Sequence, residues 1–216
     1  METAKQIAQS LLQVRAVTLS PASPFTWASG WKSPIYCDNR KTLAYPAVRR
    51  QIAAAFAQLV RSKYPDTEVV AGVATGAVAH GLLVAERLDL PFVYVRAKAK
   101  EHGLGNVVEG ELQPNKKVVV VEDLISTGGS SLSALQALRA AQANVLGMVA
   151  IFTYGFAAAQ KNFAEAKCEL TALSNYDALI EEAAASGYVQ PGDIEMLRKW
   201  REAPDRWGEA PQRCNV

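Results

Sequence analysis

Cysteine is scarce in this sequence: there are three among 216 residues, Cys37, Cys168 and Cys214. An odd number at wide spacing argues against a disulfide framework or a zinc site, and for a reducing compartment. An excess of one charge is lacking as well. Lys and Arg number 23 against 21 Asp and Glu, a formal charge of +2. Nothing global therefore points to nucleic acid, and any phosphate binding must come from local clusters. No apolar run approaches the ~20 residues of a membrane span. Residues 1–15 interleave Glu2, Lys5 and Gln6 with apolar positions and read as an amphipathic helix, not a signal peptide. The expectation is a soluble cytoplasmic protein with no membrane or nucleic-acid partner. Two phosphate loops are also missing. There is no G-x-x-x-x-G-K-[ST], and no G-x-G-x-x-G opening a helix. No repeat, low-complexity run or linker divides the chain, so one domain is expected over residues 1–216.

What is present centres on residues 117–131, Lys-Val-Val-Val-Val-Glu-Asp-Leu-Ile-Ser-Thr-Gly-Gly-Ser-Ser. Four β-branched residues in a row predict a strand buried on both faces. Glu122 and Asp123 follow where the strand should leave the sheet. A hydroxyl-rich Gly-Gly turn comes next, and Leu132, Leu135 and Leu138 then begin a helical period. Backbone N–H groups of such a turn, at a helix N-terminus, suit an anion. Two carboxylates are poor neighbours for a phosphate. They suit vicinal sugar hydroxyls or a hydrated Mg²⁺, so a ribose 5-phosphate unit fits both halves.

Two other stretches add to this. Residues 69–77 read as a strand and an Ala-Thr-Gly-Ala turn, with a helix following through Leu82, Leu83, Ala85 and Leu88, a second anion-binding candidate at Thr75 and Gly76. After a strand at 92–95, residues 96–106 run Arg-Ala-Lys-Ala-Lys-Glu-His-Gly-Leu-Gly-Asn. In extended chain Arg96, Lys98, Lys100 and His102 share one side. Such a face suits a diphosphate, and glycines at 103, 105 and 110 would let the loop hinge. Before the core, residues 16–38 are short β-like pieces with Trp27, Trp31, Lys32 and Tyr36, able either to cover a flat heterocycle or to fill a small core. His80, one turn into its helix, reads as a packing or capping residue. Strands and helices alternate over 45–174, which predicts an α/β fold with about five parallel strands flanked by helices. Residues 1–44 then form an N-terminal helix and small subdomain, and 175–216 closing helices and a tail.

The 117–131 stretch closely resembles the 5-phosphoribosyl-1-pyrophosphate (PRPP) motif of type I phosphoribosyltransferases. Nearly the whole chain is similar to the orotate phosphoribosyltransferase family of the short bacterial type. Three segments carry this: 25–36 (Phe-Thr-Trp-Ala-Ser-Gly-Trp-Lys-Ser-Pro-Ile-Tyr), the 96–102 loop with its Gly-x-Gly, and 121–130. The resemblance implies a type I phosphoribosyltransferase fold with an N-terminal hood. It implies Mg²⁺-dependent transfer of ribose 5-phosphate from PRPP to orotate, giving orotidine 5′-monophosphate and pyrophosphate in pyrimidine (UMP) biosynthesis. PRPP would be held by Arg96, Lys100, His102 and the motif Glu122, Asp123, Leu124, Ile125, Ser126, Thr127, Gly128, Gly129 and Ser130. The pyrophosphate loop would lie at Thr75 and Gly76. Orotate would meet Ser126, Lys32 and Tyr36, and Lys100, His102 and Asp123 would be catalytic. Mg²⁺ would bind mainly through PRPP and water near Glu122 and Asp123. A homodimer would share the basic loop across its interface. Better-known bacterial members carry lysines where this chain has Ala28, Gly76 and Ala97, with Lys32 and Lys98 the nearest cations here. They also carry an orotate-contacting arginine near Tyr154.

Two other readings compete. A purine phosphoribosyltransferase would lack the Ser-Gly-Trp-Lys-Ser-Pro stretch. A non-catalytic PRPP-sensing regulator should add a DNA-binding helix-turn-helix or a strongly basic face, and the sequence has neither.

Overall fold

Ile7, Ala8, Leu11 and Leu12 recur at helical spacing and form the buried face of helix α1 (Glu2–Gln13). The structure is a computed structural model in which residues 2–96 and 107–207 are described. Strand β1 (Val17–Leu19), hairpin strands β2 (Phe25–Thr26) and β3 (Lys32–Ser33), and β4 (Ile35–Cys37) follow. β1 pairs antiparallel with β4, and β2 with β3. Ribbons this short are not stable alone. A 3₁₀ helix (Asn39–Ala44) leads into α2 (Pro46–Lys63), whose N1 proline needs no N–H partner.

The core then reads β5 (Val69–Val73), α3 (Val78–Leu88), β6 (Phe92–Val95), β7 (Val108–Glu109), β8 (Lys117–Ile125) and α4 (Gly129–Ala140). It continues through β9 (Asn144–Thr153), α5 (Ala157–Glu165), β10 (Leu170–Asn175), α6 (Tyr176–Ala185) and α7 (Asp193–Glu202). The described sheet has the order β10-β9-β8-β5-β6-β7. Its first five strands are parallel, as alternation of strand and helix requires. The valine run alternates into two cores, with Val119 and Val121 on one face and Val118 and Val120 on the other.

Two features depart from the expectation. A sixth strand, β7, pairs antiparallel with the end of β6. Two residues without periodicity give no sequence signal, yet the pairing brings Arg96 and Val107 together, N–H to carbonyl at 2.9 Å. The second departure is that β8 does not end before the acids. Glu122 pairs with Ala150 and Ile125 with Thr153, because β9 continues beside β8 beyond the point where β5 stops. The chain leaves β5 toward β6 on one side and returns to place β8 on the other. The carboxyl ends of β5 and β8 therefore frame a crevice at the switch point, where ligands of open α/β sheets bind.

The N-terminal ribbons are fastened to this core by aromatic rings. Trp27 lies 5.2 Å from Tyr154 and 5.6 Å, edge-on, from Trp200. Trp31 stacks on Trp27 at 6.3 Å. Trp200 of α7 is fully buried and donates its indole N–H to the Lys32 carbonyl at 3.2 Å. Trp27 and Trp31 therefore fill a small core.

Candidate active site

A cleft of about 430 Å³ opens between β5 and β8. From β5 and its turn come Val73, Ala74, Thr75 and Gly76; from β8 and its turn come Glu122, Asp123, Leu124, Ser126 and Ser130. The third wall is Cys37, the last residue of β4, with Asp38 and Arg40 just after it. A larger groove of about 640 Å³ runs along α2 and α3, lined by Ala54, Arg61 and Arg87 among others. It contains no acid and no helix N-terminus, so the chemistry belongs to the smaller cleft.

The turn after β8 is built for an anion. Gly128 takes a left-handed φ of 86° at the N-cap of α4, and its carbonyl accepts from Leu132 N–H at 2.9 Å. The N–H groups of the first helical turn have no partner within the helix. From behind, Asn162 of α5 donates to the Thr127 carbonyl at 3.0 Å. A side chain at Gly128 would meet the Phe163 ring at 2.7 Å.

The two acids divide their work. Glu122 is buried and accepts from Ser131 Oγ at 2.7 Å and from the Asp123 N–H at 2.8 Å. Burial, then the neighbouring Asp123 carboxylate, pushes its carboxyl well above the usual range. Ser131 closes the hydroxyl-rich 117–131 stretch, where a serine could face a ligand. Instead it sits buried in α4 and ties that helix to β8. Asp123 is half-buried and lies directly over Gly76. A Cβ at Gly76 would stand 2.6 Å from Asp123 Oδ1 and closer still to the other carboxyl atoms. The pyrophosphate-loop candidate and the ribose candidate are thus in contact, and no side chain fits at Gly76 with the acid in this position.

A buried polar chain holds Asp123 from below. Asn39 Nδ2 donates to the Asp123 carbonyl at 2.6 Å. Thr42 Oγ1 donates to the Asn39 carbonyl at 2.6 Å, so His80 Nε2–H donates to Thr42 Oγ1 at 3.3 Å. Nδ1 of His80 is left without a partner among the described residues. Burial depresses the proton affinity of His80, partly offset by Asp123. This is the packing role expected for it. The Cys37 thiol is pushed well up by desolvation and then by Asp123 and Asp38, which keeps it protonated.

The remaining predicted residues are placed as follows. Ser126, Thr127 and Ile125 form the end of β8 and its turn, with Ser126 facing the cleft. Thr75 is exposed at the cleft. Arg96 stands at the base of the basic loop, paired with Glu109 at 3.4 Å, and is not among the cleft-lining residues. Lys98, Lys100 and His102 lie outside the described residues. Lys32 is exposed and donates to Thr26 Oγ1 at 2.7 Å, and Tyr36 packs on Phe25 at 5.7 Å. Neither is among the cleft-lining residues. Sequence reasoning missed Asn39, Asn162 and the Cys37, Asp38, Arg40 wall. Only the last carried a signal, an Asp-x-Arg directly after a strand.

The cleft's described wall holds three carboxyl groups and one cation, Arg40. A phosphorylated sugar would need further positive charge there, and the 96–106 loop is the nearest store of it in sequence. A family model described as "Phosphoribosyl transferase domain" matches residues 40–178, a span that holds this loop and every cleft-lining residue but Cys37 and Asp38. The chain is 56% identical over 204 residues to an orotate phosphoribosyltransferase of Porphyromonas gingivalis, covering 94% of this chain and 97% of that protein. It is 53% identical over 207 residues to one from Lactococcus lactis, covering 96% and 99%. Among solved structures, orotate phosphoribosyltransferase from Aeropyrum pernix superposes with a TM-score of 0.74 at 26% identity, covering 85% of this chain and 99% of that one. The acid pair, the glycine turn and the turn after β5 thus all lie within the matched span, and this chain belongs to the phosphoribosyl transferase domain family.

Proposed function

We infer that the chain is an orotate phosphoribosyltransferase, transferring ribose 5-phosphate from PRPP to orotate in pyrimidine biosynthesis. The observation that carries this is Asp123 beside the 126–129 turn in one cleft, in a chain 53–56% identical over nearly its full length to relatives of that name. The 5-phosphate sits on the N–H groups of residues 127–130, where the α4 dipole favours an anion. Asp123 accepts from the ribose hydroxyls. Glu122, committed to Ser131 and the Asp123 N–H, holds the turn and strand together and reaches the sugar only at its edge. Orotate lies toward Ser126 and the N-terminal ribbons, with Lys32 and Tyr36 reached only if the hood closes further over the cleft.

The donor set at the cleft is hard oxygen, which suits Mg²⁺. Among the described residues no group of three or more His, Cys, Asp or Glu could cage an ion. The ion would be held mainly by phosphate oxygens and water, with Asp123 as the protein's contact. Bound there, Mg²⁺ supplies neutralisation of the pyrophosphate. This chain's own share is positioning and charge. Thr75 and the 74–77 turn receive the leaving group, and Lys100 and His102 close over it, contributed across a homodimer. The bond from C1 to the pyrophosphate oxygen breaks as orotate N1 forms its own bond to C1, and the proton that N1 gives up passes to the departing pyrophosphate. The ribose carries positive charge in between, which favours carboxylates near it. No helix among the described residues is long and apolar enough to cross a membrane, and the reading places the enzyme in the cytoplasm.

The test is product identification. Orotate, PRPP and Mg²⁺ should yield orotidine 5′-monophosphate and pyrophosphate in equal amounts, and a chelator should stop the reaction. Consumption of PRPP without an orotate nucleotide would refute the reading.

A further inference from the structure

Arg40 is the one cation on the described wall of the cleft, and neither the turn after β8 nor the turn after β5 explains it. One edge of it is held. Asp38 Oδ1 accepts from Arg40 Nε at 2.6 Å and from the Arg40 backbone N–H at 3.3 Å. Asp38 thereby caps the 3₁₀ helix and holds one edge of the guanidinium. The other edge, Nη1 and Nη2, has no hydrogen-bond partner among the described residues, and the side chain is 59% exposed. The group is a rigid fork with two parallel donors facing outward, the geometry that matches one carboxylate. Asp38 holds the guanidinium proton most strongly, and Asp123 and Tyr36 add to it, so the fork lies within electrostatic reach of both. It lines the same cleft as Asp123, on the wall contributed by the end of the N-terminal ribbons.

We propose that Arg40, oriented by Asp38, receives the carboxylate of orotate and so selects this base over uncharged ones. The proposal rests on the functional reading above. Its chemistry follows from the substrate. The carboxylate of orotate is on the ring carbon next to N1, the atom that bonds to ribose C1. With the ribose on Asp123, that carboxylate must lie near Asp123, on the side facing the hood. Arg40 is the described cation there. Purines carry no such group and would leave the fork unpaired, which disfavours them. A pyrophosphate on the Thr75 turn is the competing occupant, and the measurement separates the two.

The experiment compares the full-length enzyme with Arg40→Gln and Arg40→Lys. KM for orotate is measured at saturating PRPP, KM for PRPP at saturating orotate, and Ki for orotamide as the carboxamide probe. Loss of a charge-assisted, two-point contact should raise KM for orotate roughly 10- to 100-fold in Arg40→Gln. Arg40→Lys should fall between, and KM for PRPP should stay within about 2-fold. The preference for carboxylate over carboxamide, KM for orotate against Ki for orotamide, should collapse in Arg40→Gln. Those constants do not depend on how much of the variant is folded. If Arg40→Gln does not accumulate, Arg40→Lys carries the same test. An unchanged orotate KM and an intact carboxylate preference would overturn the proposal. So would a raised PRPP KM with orotate unaffected, which would put Arg40 on the pyrophosphate. A wild-type enzyme that does not use orotate at all would instead refute the functional reading.

Discussion

Replacing Gly76 by alanine should disable the enzyme while leaving it folded. The added Cβ would stand 2.6 Å from Asp123 Oδ1 and nearer to the rest of the carboxyl group. Asp is too short to bend its tip away, so the whole carboxyl group must turn about χ1. The surroundings tolerate this at the usual cost of overpacking, ~1–3 kcal/mol. At about 2–4 °C per kcal/mol for a chain of this size, Tm should fall by roughly 2–12 °C. Activity should suffer more. The acid that faces the ribose is displaced by an ångström or more, and misplacement on that scale costs about 10²-fold. The assay is kcat/KM for PRPP beside a thermal melt, with Gly192→Ala as control because nothing lies within 4 Å of a Cβ there. Near-normal kcat/KM in Gly76→Ala would show that the seat of Asp123 over Gly76 is irrelevant to turnover.

Glu122 should give the protein a distinctive pH dependence. Its carboxyl is pushed up to about 8, chiefly by burial and then by Asp123, so the folded state keeps a proton that the unfolded chain releases. Stability should therefore fall as pH rises from the ordinary carboxylate range toward that value, and level off above it. The difference between wild type and Glu122→Gln in urea unfolding isolates this from the opposite trend of His80; identical slopes would contradict it. Trp200→Ala should cost about 3–5 kcal/mol by emptying the centre of the aromatic cluster. Trp200→Phe should cost about 1 kcal/mol through the lost bond to the Lys32 carbonyl. A Trp200→Ala loss below ~1 kcal/mol in the same denaturation experiment would remove α7 as the anchor of the ribbons. Lys100→Ala should lower kcat ~10²-fold or more with the melt unchanged. Mixing it with Asp123→Ala subunits should restore some activity if the loop acts across a dimer, and verified mixed dimers without recovery would place it within one subunit.

The valine run, the paired acids and the Ser-Thr-Gly-Gly turn were legible because each is a contiguous pattern whose local conformation follows from residue type. The five parallel strands followed from their alternation with helices. β7 was not legible, since its pairing with Tyr94 and Val95 closes a loop and leaves no period. Nor was the difference between Glu122 and Asp123. That depends on β9 outlasting β5 beside β8 and on Ser131 reaching back from α4, both set by partners distant in the chain. Asn39 reaches Asp123 across 84 positions and Trp200 reaches Lys32 across 168, so neither contact can be read from spacing. Trp27 and Trp31 could have been ligand-covering or core-filling on composition. Trp27 packs against Tyr154 and Trp200 and Trp31 stacks on Trp27, which decides for core.

The base is the point on which the whole reading turns, and competition between bases measures it. With PRPP and Mg²⁺ fixed, kcat/KM for orotate should exceed that for adenine or hypoxanthine by at least ~10³-fold, because a carboxylate site left unpaired by a purine discriminates strongly. Turnover of either purine at a rate equal to or above that of orotate would contradict it.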